Sequence, residues 1–213
     1  MKIAVYSGSF DPLHIGHLAI MEYLTKVKDF DWVYLVISPQ NPLKDASKAL
    51  SAEQRYHDAI AAVRRHPDLH IWVDNIELTM DPPNYSVKTL DALKRREPEN
   101  DFTLVIGADN LVNIHTWRDF PRLLNEYGVV VYPRTGYDME QMQRQLQEEL
   151  RHAPAPYVLD PYATRSMEGN VGFEGLQDSF YRIQLIDAPV VDISSTEIRE
   201  QMARGIDMSK YLI

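Results

Sequence analysis

Two histidines stand three residues apart, at His14 and His17, just after a run of small and turn-forming residues, Ser7-Gly8-Ser9-Phe10-Asp11-Pro12. An apolar stretch, Ile3-Ala4-Val5-Tyr6, comes before this run, and a helix-forming stretch follows it. A strand that ends in small residues and hands over to a helix presents free backbone N–H groups at the helix start, and such groups bind phosphate. Gly8 and Ser9 let a ligand approach the backbone closely. With a helix starting near His14, both imidazoles project to its N-terminal mouth, and Gly16 keeps the position between them small enough for a bulky ligand to descend. The pair also has metal-ligand spacing, although no third ligand is obvious nearby. Taken singly, either histidine reads more readily as a satisfied surface residue; it is the combination that points to a ligand.

A second segment lies at the far end: Ile193-Ser194-Ser195-Thr196-Glu197-Ile198-Arg199. Ser194, Ser195 and Thr196 at a helix start offer hydroxyl and backbone donors to phosphate oxygens, and Arg199 adds a charge-assisted fork. The competing reading is an ordinary capped helix, with Ser195 as the cap and Glu197 in its first turn. Together the two segments resemble the paired signatures of the nucleotidyltransferase superfamily. His14-Ile15-Gly16-His17 is similar to its His-x-Gly-His motif, and Ile193 to Arg199 is similar to its Ile-Ser-Ser-Thr-x-Ile-Arg. The resemblance implies a Rossmann-like fold and transfer of AMP or CMP from a nucleoside triphosphate.

Three segments between them narrow the resemblance. Asn84-Tyr85-Ser86-Val87-Lys88-Thr89-Leu90 is similar to Ser-Tyr-Thr-x-x-Thr-Leu. Ile106-Gly107-Ala108-Asp109-Asn110-Leu111, with Trp117 downstream, is similar to Ile-Gly-x-Asp-x-Leu and its following Trp. Pro133-Arg134-Thr135-Gly136-Tyr137 is similar to Arg-Pro-Gly-Tyr. These segments look like the nicotinate-nucleotide adenylyltransferases, which make deamido-NAD from nicotinate mononucleotide and ATP. The likeness implies an ATP site built from Gly8, Ser9, Phe10, His14, His17, Gly107, Asp109, Arg134, Ser194, Ser195, Thr196 and Arg199. It implies an acceptor site from Ser9, Phe10, Lys44, Tyr85, Ser86 and Trp117, with Trp117 stacking on the ring and Ser86 donating to the ring carboxylate. His14, His17, Lys44 and Arg199 are the implied catalytic set, Mg²⁺ travels with ATP, and no metal is held by the protein itself. Two departures stand out: Leu43 replaces a usual histidine before Lys44, and Ser86 replaces a threonine while keeping its hydroxyl. An adenylyltransferase for the amide mononucleotide, or a non-catalytic nucleotide sensor on the same fold, are the alternatives. A Gly-x-Gly-x-x-Gly redox fingerprint is missing from Gly8-Ser9-Phe10-Asp11.

The elements needed to hold these residues are legible in the apolar pattern. Strands are expected at Ile3–Tyr6, Trp32–Ile37, His70–Val73, Phe102–Ile106, Val129–Tyr132 and Tyr181–Ile186. Helices are expected from Ile15 to about Lys28 with Ile20, Leu24 and Val27 on one face, from a cap at Ser51 to about Arg65, and over Ser86–Arg96 with Val87, Leu90 and Leu93 inward. An exposed helix fits residues 139–150. Ser194 or Ser195 caps a helix through Met202 that Gly205 stops, and a last turn falls in residues 208–213. This alternation predicts an α/β, doubly wound parallel sheet of Rossmann-like type with a small helical C-terminal part. Ligands then sit beyond the strand ends where strand order reverses, and the strands ending at Tyr6 and Ile106 are expected side by side there. The whole of residues 1–213 reads as one nucleotidyltransferase domain, with a long loop or insertion at about 153–180 and a phosphate-binding helix from about 194.

Bulk properties set the outer bounds. A chain of 213 residues, 45% hydrophobic and 25% charged, is globular in composition and long enough to bury a core without staples. With no cysteine there is no disulfide framework and no thiolate chemistry. A net charge of -9 repels a nucleic-acid backbone but leaves room for a local anion pocket. No stretch approaches a membrane span or a signal h-region, so a cytoplasmic protein is expected. Small-molecule partners, ATP and nicotinate mononucleotide, follow from the resemblance, and a homo-oligomer is left open.

Overall fold

The computed structural model describes residues 1–39, 50–142, 144, 157–159 and 181–213. Lys44 and most of the expected insertion at 153–180 lie outside the described residues, as does most of the 139–150 helix, whose first turn is helical.

Seven strands form one sheet in the order β3-β2-β1-β4-β5-β7-β6. They are β1 (Lys2–Gly8), β2 (Trp32–Ile37), β3 (Ile71–Asp74), β4 (Asp101–Gly107), β5 (Val129–Tyr132), β6 (Tyr157–Leu159) and β7 (Tyr181–Leu185). Every neighbouring pair is parallel. β1 pairs with β2 on one side, Tyr6 opposite Leu35, and with β4 on the other, Tyr6 opposite Val105. The chain winds outward from β1 to β3 and then crosses back to β4, so strand order reverses between β1 and β4. That is the doubly wound arrangement, and its crevice opens beyond Gly8 and Gly107.

Strand side chains alternate between two cores. Ile3, Val5, Leu104 and Val131 face one layer, with Val87, Leu90 and Leu93 of α3 (Ser86–Arg96) and the turns after β4. Ala4, Tyr6, Val105 and Val130 face the other, with Ile20, Met21 and Leu24 of α1 (Ile15–Lys26) and Ala59 and Ala62 of α2 (Ala52–Val63). A sheet covered on both faces explains why its strands read as unbroken apolar runs. Ser51 caps α2 as expected, accepting from Gln54 N–H at 3.1 Å.

Helix α1 corrects one expectation. Val27 is 57% exposed, and Met21 takes the buried place expected of it. The helix ends at Lys26 because Lys28 and Phe30 donate back to Tyr23 and Leu24 around Asp29, whose φ of 58° turns the chain away.

Single turns Ala108–Leu111 (α4) and Phe120–Arg122 (α5) follow β4, and α6 (Ser195–Ala203) closes the chain. Helix α6 stops at Gly205, φ 78°, as expected from the sequence. Ile198 and Met208 bury a small core with Ile193 beside the start of α1. The terminal segment then forms a 3-10 turn, Ser209–Tyr211, and Leu212 makes an antiparallel bridge to His14. Among the described residues, no helix is long and apolar enough to cross a membrane.

Candidate active site

His14 is the N-cap of α1. Its Nδ1 accepts from Gly16 N–H at 3.1 Å, and His17 Nδ1 accepts in turn from His14 N–H at 3.2 Å. This is a capping box built from two imidazoles. Its consequence is chemical: with both Nδ1 atoms acting as acceptors, the neutral rings carry their protons on Nε2, and Nε2–H is the donor left for a ligand. The rings lie 3.7 Å apart, centroid to centroid, and the edge of Phe10 packs on His17 at 5.0 Å.

Charge is disfavoured here. Burial pushes the His14 imidazole down to about 4, and the Arg134 guanidinium adds to the effect. His17 is held well below the usual histidine range by burial first, then by His14 and Arg134. Both rings are neutral at pH 7.

Gly16 has a second role besides the expected one. It lines the cavity described below, and a Cβ there would meet His14 Cε1 and Nδ1 at 3.0 Å. The missing side chain therefore also makes room for the His14 ring in its capping position.

A cavity of about 240 Å³ opens against these rings. His14, His17, Tyr132, Arg134, Ser194 and Glu197 line it, and residues 189–193 form one wall. Arg134 donates to Tyr132 Oη at 2.9 Å with its guanidinium 5.0 Å from that ring's centre, and its Nε lies 3.5 Å from Asp109 Oδ1. Asp109 Oδ1 has no hydrogen bond. It occupies the space that glycine leaves at 107, since a Cβ there would sit 2.2 Å away.

The second signature divides its labour. Ser194, not Ser195, is the cap, accepting from Glu197 N–H at 3.1 Å, and it borders the cavity. Ser195 Oγ donates to the Pro12 carbonyl at 3.0 Å. Arg199 donates to the Asp11 carbonyl and to Thr196 Oγ1, and stands 3.7 Å from the Asp11 carboxylate. These contacts fasten α6 to the turn that leads into His14. Thus His14, His17, Arg134 and Ser194 come together around one cavity, Gly107 and Asp109 adjoin it through Arg134, and Ser195, Thr196 and Arg199 stand on the turn beside it.

Among the described residues, those implied for an acceptor (Ser9, Phe10, Tyr85, Ser86 and Trp117) do not line that cavity. Tyr85, exposed, and Ser86 begin α3. Trp117 follows the 3-10 turn Ile114–Thr116 and packs against the core on the α3 side. Phe10 departs from its implied role, because its side chain is buried against Tyr6 and His17. Only its backbone, in a left-handed conformation with φ 44°, remains to meet a ligand.

Arg55 went unnoticed in the sequence. It is 2% exposed and donates to three carbonyls: Ser9, Ser38 at 2.9 Å and Leu50 at 3.3 Å. Its signal was available, since Arg55 shares the inward face of α2 with Ala59 and Ala62. Glu197 was legible only as the variable position of its motif.

A family model described as cytidylyltransferase-like matches residues 5–201, a span that includes both histidines and the whole Ser194–Arg199 segment. The chain belongs to this family of nucleotidyltransferases. Within the family, a relative from Flavobacterium johnsoniae, named as a probable nicotinate-nucleotide adenylyltransferase, is 31% identical over 212 residues, covering 100% of this chain and 92% of its own. A relative of the same name from Bacteroides thetaiotaomicron is 32% identical over 212 residues, covering 100% of this chain and 87% of its own. The fold is also that of the Plasmodium falciparum nicotinic acid mononucleotide adenylyltransferase complexed with NaAD. That structure has a TM-score of 0.71 and 17% identity, over 99% of this chain and 90% of that one.

Proposed function

We propose that this enzyme transfers the adenylyl group of ATP to nicotinate mononucleotide in the cytoplasm, giving deamido-NAD and pyrophosphate. The observation that carries the reading is the pair of imidazoles that line a cavity shared with Arg134 and Ser194, their Nδ1 atoms committed as acceptors and Nε2–H left as the donor. The names carried by the relatives across the full chain point to the same reaction.

A phosphate oxygen of the mononucleotide attacks the α-phosphorus of ATP. A new phosphorus–oxygen bond forms, the bond to the bridging oxygen breaks, and pyrophosphate leaves with the electron pair. The acceptor is already anionic, so no protein nucleophile is required, and the protein's task is positioning and charge stabilisation. His14 and His17 donate to the triphosphate. Arg199, set on the Asp11 turn, and Lys44 supply positive charge. Gly8, Ser9, Ser194, Ser195 and Thr196 frame the phosphates at two helix starts, α1 and α6. Asp109, with an uncommitted oxygen, accepts from ribose hydroxyls, and Gly107 keeps room for it. Tyr85, Ser86 and Trp117 receive the nicotinate end on the α3 side. Residues 1–213 act as one nucleotidyltransferase domain.

Among the described residues, no group of three or more His, Asp or Glu side chains is placed to hold a metal. In this reading Mg²⁺ travels with ATP, held by phosphates and water.

Pyrophosphate release with MgATP and nicotinate mononucleotide tests the proposal. Turnover at least tenfold faster on the acid than on nicotinamide mononucleotide is the expected result. No release with any mononucleotide acceptor would overturn it. His17→Ala should lower kcat by about 10²- to 10³-fold with the fold retained.

A further inference from the structure

Glu77 lies in the 3-10 turn Ile76–Leu78, directly after β3, and is 4% exposed. Its Oε1 accepts from two hydroxyls, Ser7 Oγ at 2.8 Å and Thr89 Oγ1 at 3.0 Å. Ser7 Oγ is also 2.9 Å from Ser38 Oγ. A carboxylate only accepts, so the proton direction is fixed: Ser38 donates to Ser7, and Ser7 and Thr89 donate to Glu77. The backbone carbonyl of the same residue accepts from Asn84 Nδ2 at 2.8 Å.

These partners come from three segments on the acceptor side: the end of β1, the residue after β2 and the start of α3. Ser7 is the last residue before Gly8-Ser9. Ser38 follows β2 directly. Thr89 lies in the first turn of α3, and Asn84 leads into Tyr85-Ser86. A buried carboxylate held by hydroxyls costs stability where a well-packed apolar side chain of similar size would not. A satisfied polar network does, however, fix geometry more sharply than apolar contact.

We propose that Glu77 is a positioning residue for the acceptor. It sets the span between the phosphate loop at Ser7–Ser9 and the start of α3 at Tyr85-Ser86, and so matches the site to the fixed distance between a mononucleotide's phosphate and its base. This rests on the reading of the reaction given above. The cavity lined by His14, Arg134 and Ser194 contains none of these residues, so a change at Glu77 bears on the acceptor before it bears on ATP.

The test is steady-state pyrophosphate release by Glu77→Met, Glu77→Gln and Thr89→Val, with thermal unfolding of each. Glu77→Met, which has no acceptor, should raise KM for nicotinate mononucleotide by about 10- to 100-fold while KM for MgATP stays within about twofold. Glu77→Gln keeps an acceptor oxygen and should restore KM for the mononucleotide to within about threefold of wild type. Thr89→Val removes one of the two bonds and should fall between them; it carries the test alone if Glu77→Met does not fold. Equal rises in both KM values, or a lowered Tm with both KM values unmoved, would overturn the assignment while leaving the reaction intact. Wild-type protein that does not turn over nicotinate mononucleotide would overturn the reaction and this assignment with it.

Discussion

The neutrality of His14 carries a measurable cost in acid. Unfolded, its imidazole takes up a proton below its ordinary value of 6.5; folded, burial delays that uptake to about 4. Between those limits the unfolded chain binds more protons, so stability falls as pH drops from 6.5 toward 4, and above 6.5 the residue contributes no pH dependence. At 1.36 kcal/mol per pH unit, the loss from this one group is about 2 kcal/mol at pH 5 and about 3 kcal/mol at pH 4. Other groups titrate over the same range, so the quantity to measure is a difference. His14→Asn keeps a side-chain oxygen that can cap Gly16 N–H but removes the titrating ring. Urea unfolding of wild type and variant at pH 7.5 and pH 5.0 should show the wild type losing about 2 kcal/mol more than the variant. Parallel losses would mean that His14 titrates near its ordinary value, and that burial is not what holds the ring neutral in the free enzyme.

Substitutions at three other positions probe the frame of the site. Gly16→Ala drives a Cβ to 3.0 Å from the His14 ring and displaces the cap; a loss of about 1 kcal/mol in unfolding and about a tenfold fall in kcat are expected. Gly107→Ala places a Cβ 2.2 Å from Asp109 Oδ1 and moves that carboxylate away from Arg134; KM for MgATP should rise about tenfold with Tm nearly unchanged. Arg55→Met strips donors from the carbonyls of Ser9, Ser38 and Leu50 at once; denaturant titration should show a loss of about 2–4 kcal/mol, and Arg55→Lys, which cannot serve three acceptors from one fork, should recover only part of it.

What could be read in advance depended on the range of the interaction. Helix α3 begins and ends where its periodicity places it, because Val87, Leu90 and Leu93 meet a sheet that wants one apolar stripe. Six strands were equally plain, since burial on both faces leaves little else for β-branched runs to be; β6 (Tyr157–Leu159) falls instead inside the span read as a loop or insertion. The pairing of β1 with β4 followed from two glycine-ended strands and the rule for ligand crevices. Failures arose where partners are remote in the chain. Arg199 and Ser195 reach Asp11 and Pro12 across more than 180 residues, and nothing in Ser194–Arg199 alone announces that its polar groups brace a turn. Glu77 sits between Ile76 and Leu78 in a turn too short to show a period, so its burial is visible only in three dimensions. Gly16 was legible only in part: the sequence shows that space is needed there but not that a neighbouring imidazole shares it with the cavity.

The charge balance of the site explains why a protein of net charge -9 suits a polyanion. Among the described residues, Arg134 is shared with Asp109 and Arg199 stands against the buried carboxylate of Asp11, so both guanidinium charges beside the cavity are partly offset. The two imidazoles add donors without adding charge. A site with two further permanent cations would hold the ground-state triphosphate and the departing pyrophosphate nearly as tightly as the transition state, and uniform binding of that kind does not raise kcat. Neutral rings behave differently in the proposed reaction. As negative charge builds on the leaving oxygens, the proton affinity of an adjacent imidazole rises, and the Nε2–H bond to phosphate strengthens at the moment charge develops. The desolvation that depresses His14 and His17 in the free enzyme is thus what lets them favour the transition state over both substrate and product.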